Sequence, residues 1–301
     1  NLNADKCHKK EFNSLELNKL LGGEFSKDKI KYYFIGDKFD PITKSYNFEI
    51  AKNLNLINLD KKIYIKKYGN PEIKLIKKKK LILIRINDFN DKVLFLDSKL
   101  DGWNINVIAK DIKKYQTSDS RIDTNLLTSL ITIKDSYLKN LDIYINGGNH
   151  EDSLNIISSY GSIDSITIKN SFQDAIDFDF SNLRVNETYV ENAGNDCVDS
   201  SAGEYFVNKL VLIGCEDKGV SVGEKSNFKL TNAEIKNTYM ALVSKDSSKL
   251  IVKNGFLKNN KICAAAYNKK QEFGPSYISI PIKLCPRNKL AIQNISILEL
   301  K

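Results

Sequence analysis

The chain has no Cys-x-x-Cys pair and only two histidines, His8 and His150, far apart in sequence. The ligand sets of structural zinc are therefore not expected. No apolar run reaches the length of a membrane-spanning helix. A signal-peptide pattern is also missing, and the first residue is Asn1 rather than Met. The expectation is a processed protein, secreted, periplasmic or at the cell surface. Tryptophan occurs once, as Trp103 in Asp101-Gly102-Trp103-Asn104. It reads as core or cap packing, with a sugar-stacking platform as the alternative.

Charge is what the chain has in excess. The net charge is +9, which favours a polyanionic partner. Lys77 to Lys80 form a run of four lysines ahead of Leu81-Ile82-Leu83-Ile84. No aromatic–glycine signature of an RNA-binding sheet accompanies it. The run reads as a charged loop entering a buried strand, and nucleic acid is not the expected partner. An acidic glycan and an anionic membrane surface are the other polyanions that the charge favours.

The strongest pattern is a repeat. Leu154, Ile176, Val198, Val220, Leu242 and Ala264 follow one another at a step of 22 residues. A fixed step of this length marks a solenoid in which each repeat is one turn. The preceding slot is always small: Ser153, Ala175, Cys197, Gly219, Ala241 and Cys263. The flanking slots alternate polar with apolar, as a strand with one buried face does. A second ladder holds Asn170, Asn192, Gly214, Asn237 and Asn259. One step in it is longer by a single residue, which the register places at a turn. Asparagine suits a left-handed turn, and stacked amides can bond one another. Strand-like runs precede this ladder, and no helix fits between. The expected fold is all-β, a right-handed parallel β-helix over residues 111–301. Residues 1–110 lack the step. They read as an N-terminal cap with irregular early coils, or as a small β domain. Asn13 to Leu21 is the expected capping helix, stopped by Gly22-Gly23.

Five cysteines leave at least one without a partner in the chain. Cys263 and Cys285 share the 22-residue step, which permits either a disulfide or two packed thiols.

The same register stacks Asp152, Asp174 and Asp196, with Lys218 in the fourth slot. Asp177 and Asp199 stack three residues along, and Asp179 lies beyond. Carboxylates one rung apart are about 4.8 Å from each other. At an effective dielectric of about 20, each pair repels by about 3.5 kcal/mol before screening. Compensation must come from a cation, a nearby lysine or a raised pKa. Asp152, Asp174 and Asp196 are the candidate ligands of a calcium ion. Lys218, Lys245, Lys269 and Lys270 make the next turns basic, so one face runs from acidic to basic. Catalytic roles are expected of Asp174, Asp196, Lys218 and Lys245. Substrate contacts are expected of Asp177, Asp199, Lys269 and Lys270.

From about Leu126 to Leu300 the chain resembles the right-handed parallel β-helix proteins of the pectin-lyase-like superfamily. Four strings are similar in order and spacing to the polygalacturonase motifs NTDG, GDDC, GHG and RIK. They are Gln173-Asp174-Ala175-Ile176-Asp177, Gly194-Asn195-Asp196-Cys197-Val198, Asp217-Lys218-Gly219-Val220 and Val243-Ser244-Lys245. The resemblance implies a water-activating Asp174, a second acid at Asp196 and a substrate-binding Lys245. Asn195 stands where that family has its general acid, Lys218 where it has histidine, and Val243 where it has arginine. The family mechanism does not carry over intact, because an amide cannot donate the proton. The expected function is binding, with cleavage or modification, of an acidic polysaccharide in the manner of a lyase or hydrolase. A non-catalytic adhesin or tailspike-like protein is the alternative.

Overall fold

A computed structural model describes residues 56–109 and 127–301. The expected helix at 13–21 lies outside the described residues, as do Cys7 and His8. Among the described residues the strands form two sheets, one of eleven strands and one of twelve. From Ser129 onward the chain alternates between them, so each coil contributes one strand to each sheet. We call the eleven-stranded sheet the front sheet and the other the back sheet. The fold is a parallel β-helix.

The apolar column sets the register as its spacing predicts. Leu154 pairs with Ile176, Ile176 with Val198, Val198 with Val220, Val220 with Leu242 and Leu242 with Ala264. All six are at most 1% exposed, in one continuous core. Each large member contributes about 1.5–3 kcal/mol by leaving water. Alternation sends the residue after each core position to the opposite face of the sheet, whereas the small residues before it, Ala175, Cys197, Ala241 and Cys263, belong to the core. Val243 and Ala265, in the slot after the column, accordingly lie outside the core cluster.

The asparagine ladder also forms. Asn170, Asn192, Asn237 and Asn259 have positive φ, as has Gly214. Asn192 donates to Asn170 and Asn259 to Asn237, each at 3.2 Å. The extra residue falls at Glu224–Lys225, where both φ values are positive. Pairing changes there from Ser201↔Gly223 to Glu204↔Asn227.

A further ladder stabilises the other corner. The amides of Ser98, Ser136 and Ser159 each donate to the hydroxyl of the serine one coil on, at 3.0 Å. The series then meets Gly203, which has no hydroxyl. The Tyr205 hydroxyl fills the gap by accepting from Ser181 N at 3.3 Å. A Cβ at Gly203 would overlap that hydroxyl, so the glycine and the tyrosine require each other.

Among the described residues there are two disulfides, Cys263–Cys285 and Cys197–Cys215. The first joins the pair its spacing suggests, though not as stacked neighbours on adjacent strands. Ala264 pairs with Leu290, so the last coil is longer than the rest and Cys285 lies in its turn. The second disulfide closes 18 residues within one coil, a span that the 22-residue step does not flag.

The earlier strands are less regular but join the same sheets. Ile63–Tyr68 pairs antiparallel with Lys92–Leu96, which pairs parallel with Ser129–Lys134. Glu72–Ile76 and Leu81–Ile86 form a hairpin on the back sheet. Lys77–Lys79 make its short 3-10 turn, with no buried residue, ahead of buried Ile82, Ile84 and Ile86. The lysine run is thus a loop entering a strand. Trp103 is 7% exposed and belongs to the core. Among the described residues, no helix is long and apolar enough to cross a membrane.

Candidate carboxylate–lysine site

The acidic face lies on the front sheet. Asp152 pairs with Asp174, and Asp177 pairs with both Asn155 and Asp199. The aspartates are tied into the coil as well as stacked. Asp174 Oδ1 accepts from Asp196 N at 2.8 Å and from Asn195 Nδ2 at 2.7 Å. Asp196 Oδ1 accepts from Lys218 N at 3.0 Å. Asp174 and Asp196 each therefore satisfy an amide of the next coil, which fixes their position.

The group that comes closest together is Asp174, Asp196 and Asp199. One oxygen of each lies within 4.8 Å of the others. Two lysines reach this group from the later coils. Lys218 Nζ is 3.2 Å from Asp196 Oδ1 and also contacts Asp217. Lys245 Nζ is 3.5 Å from Asp199 Oδ1, two rungs away. Gly223 makes that reach possible. A Cβ there would stand 2.7 Å from Lys245 Cε, so only glycine leaves a trough for the lysine stem.

Burial and repulsion set the protonation. Burial pushes Asp174 up to about 7, helped by the charge of Asp196 and opposed by the Asp196 amide. Burial pushes Asp152 up to about 8, and Asp179 up to about 6 against the hydrogen bond from Asn155. Asp177 is held well above the usual carboxylate range by burial and by its acidic neighbours, Asp179 first. Asp196 is also raised by burial, but Lys218 and Lys245 pull it back. Burial pulls the Lys218 ammonium down, and the Asp196 and Asp217 carboxylates more than reverse this. Lys218 is thus a fixed cation near neutral pH and not a base. The face joins a carboxyl pushed up to about 7 by burial to a second one that burial also raises but two lysine charges pull back.

Lys269 and Lys270 are placed differently. Their amides donate to Asp246 Oδ1 at 2.6 and 2.8 Å, and the Lys270 ammonium pairs with Glu224. They bond to Asp246 and Glu224 and stand apart from the close trio. Tyr267 is a neighbour that the charge pattern passes over. It pairs in register with Lys245, and its hydroxyl feels Lys218, Lys245, Asp217 and Asp196. Its place in the column three residues after Ala264 is the signal that could have found it. Ser221 is another, fully buried on the rung after Asp199, with no hydrogen-bond partner for its hydroxyl.

Fold and face together define a parallel β-helix carrying a carboxylate–lysine site on its front sheet. The chain matches no protein-family model, no curated protein and no solved structure.

Proposed function

We propose that the front face binds an acidic polysaccharide and cleaves it by proton transfer. The observation that carries this is Asp174, pushed up to about 7 by burial, within 4.8 Å of Asp196, which Lys218 and Lys245 pull back toward the charged form. Environments that separate the protonation of two neighbouring acids create an acid and a base. Asp174 gives its proton to the leaving glycosidic oxygen. Asp196 takes the proton of the attacking water, so the cleaved bond gains one water overall. Lys218 and Lys245 face the uronate or sulfate groups, with Asp177 and Asp199 beside them and Lys269 and Lys270 further along. This differs from the roles that the resemblance to polygalacturonases implies, because Asn195 has no proton to give.

Hydrolysis suits the face better than elimination. A lyase needs a base for the C5 proton, and Lys218 is held charged. A pectin-lyase-like ancestry remains compatible with the coil. The two disulfides support a secreted, periplasmic or cell-surface setting, where such bonds persist.

The test is a reducing-end assay on polygalacturonate, alginate and sulfated glycans. Product from wild type, lost in both Asp174→Asn and Asp196→Asn, supports the proposal. No product on any of them overturns it. A second reading, a non-catalytic surface protein of adhesin or tailspike type, is favoured by Asn195, whose amide bonds Asp174 where a general acid would stand. Glycan binding without product would select that reading.

A further inference from the structure

The back sheet carries a second feature that the front face does not use. A groove of about 920 Å³ runs across its outer surface between Tyr137 and Lys229. It is built by the backbone. Between Leu138 and Leu141 the strand Tyr137–Asn146 holds one residue more than its neighbour Tyr160–Ser171 does between Gly161 and Ile163, so pairing slips from Leu138↔Gly161 to Leu141↔Ile163 and slips back at Asp142↔Ser165. Asn140 takes a positive φ at this bulge. Gly161 has φ +125°, and a Cβ there would overlap the Leu138 carbonyl oxygen. Bulges of this kind re-aim side chains beside binding sites.

The side chains around the bulge combine aromatic faces with cations. Tyr160 is 57% exposed, and its ring lies 5.3 Å from that of Tyr137. Lys99 stands over the Tyr137 ring at 5.6 Å. One coil on, the exposed Arg184 has its guanidinium carbon 5.7 Å from the Phe206 ring centroid. Lys139, Arg184 and Lys229 line the groove against one acid, Glu204. Lys139 is only loosely tied, 3.9 Å from Asp101. The front face crowds its aspartates together, whereas this face presents net positive charge.

We propose that this groove is a second binding site, for an acidic oligosaccharide. Tyr160 offers an aromatic platform to a sugar ring, whose axial C–H bonds pack on a π face. Arg184 pairs with a carboxylate or sulfate through its planar fork, and Lys139 and Lys229 add charge on either side. The site stands apart from the front face and does not depend on cleavage there. It would hold a long polymer while the front face works on another stretch.

The test uses the full chain carrying Asp196→Asn, so that failure of the front face cannot mimic failure here. Isothermal titration with uronate and sulfated oligosaccharides should show binding. Tyr160→Ala and Arg184→Ala should each weaken it about tenfold or more, with Arg184→Lys intermediate. Both side chains are exposed, so thermal melts should match the parent. Unchanged affinity in these variants overturns the proposal, as does absence of binding to every acidic oligosaccharide. Equal binding of a neutral glucan, or displacement by single-stranded DNA at lower concentration, overturns it as well.

Discussion

Gly223 is the slot across which Lys245 reaches Asp199. The lysine stem passes where a Cβ would stand 2.7 Å from Cε, and its ammonium ends 3.5 Å from the carboxylate. Gly223 has an ordinary backbone conformation, without positive φ. Gly223→Ala should therefore leave stability within about 1 kcal/mol of wild type. The added methyl should push the flexible lysine off Asp199. A charge-assisted contact of about 1.5–3 kcal/mol is then lost, so turnover of an acidic polysaccharide should fall about tenfold or more. Unchanged turnover in a normally folded variant would show that Lys245 does not act from this position.

The buried acids make stability depend on pH in an unusual direction. Asp179, Asp174 and Asp152 titrate near 6, 7 and 8 when folded, against an ordinary value of 3.8. The folded chain binds more protons than the unfolded chain across that window. Stability from these groups is therefore complete below about pH 4 and lost as pH rises toward about 8. Urea midpoints should be higher near about pH 5 than near about pH 8.5. Asp152→Asn should flatten the slope at its alkaline end. A midpoint that rises with pH over this range would contradict the assignment of neutral acids to the face.

Tyr205 has one acceptor role and two candidate carbonyl acceptors for its single O–H proton at one buried hydroxyl. It accepts from Ser181 N and lies within bonding distance of the carbonyls of Phe178 and Ser201, at 3.0 and 3.1 Å. Its ring stacks on Phe178 and meets Phe228 at a tilt, at centroid distances of 5.5 and 5.9 Å. Tyr205→Phe keeps the ring and removes the hydroxyl, leaving the Ser181 amide unpaired. The expected cost is about 1–3 kcal/mol, read by chemical denaturation. A smaller loss would mean that water replaces the hydroxyl at the corner.

Calcium competes with the lysines for the close trio. To be held by Asp174, Asp196 and Asp199, the ion must displace the Lys245 ammonium from Asp199. Millimolar calcium should leave the wild-type melting temperature unchanged and raise that of Lys245→Met. A rise in wild type would show that the ion, and not the lysine, neutralises this face.

Much of the coil was legible because a solenoid repeats its constraints. Leu154 and its successors must each fill the same core slot, so one spacing reveals the register. Asn170 and its successors must each adopt the same left-handed turn. The aspartates were legible for the same reason, since register alone stacks Asp152 on Asp174. What the repeat could not show is contact made against it. Cys197–Cys215 joins two points within one coil. Lys245 crosses two rungs through a gap left by Gly223. Tyr205 serves a ladder from two residues beyond the vacant slot at Gly203. Protonation was also hidden, because it depends on burial as well as spacing. The serine corner did obey the step, from Ser159 to Ser181, but its hydroxyls are common enough in turns to pass unnoticed.

The two disulfides have a mechanical consequence. A solenoid pulled from its ends peels one coil at a time, because each coil touches only its neighbours. The bond between Cys197 and Cys215 locks 18 residues out of the extending thread, and that between Cys263 and Cys285 locks 22. At about 3.5 Å per residue, they withhold roughly 60 and 75 Å of contour length. Tension on this protein would thus pay out in unequal steps, shorter wherever a staple is met.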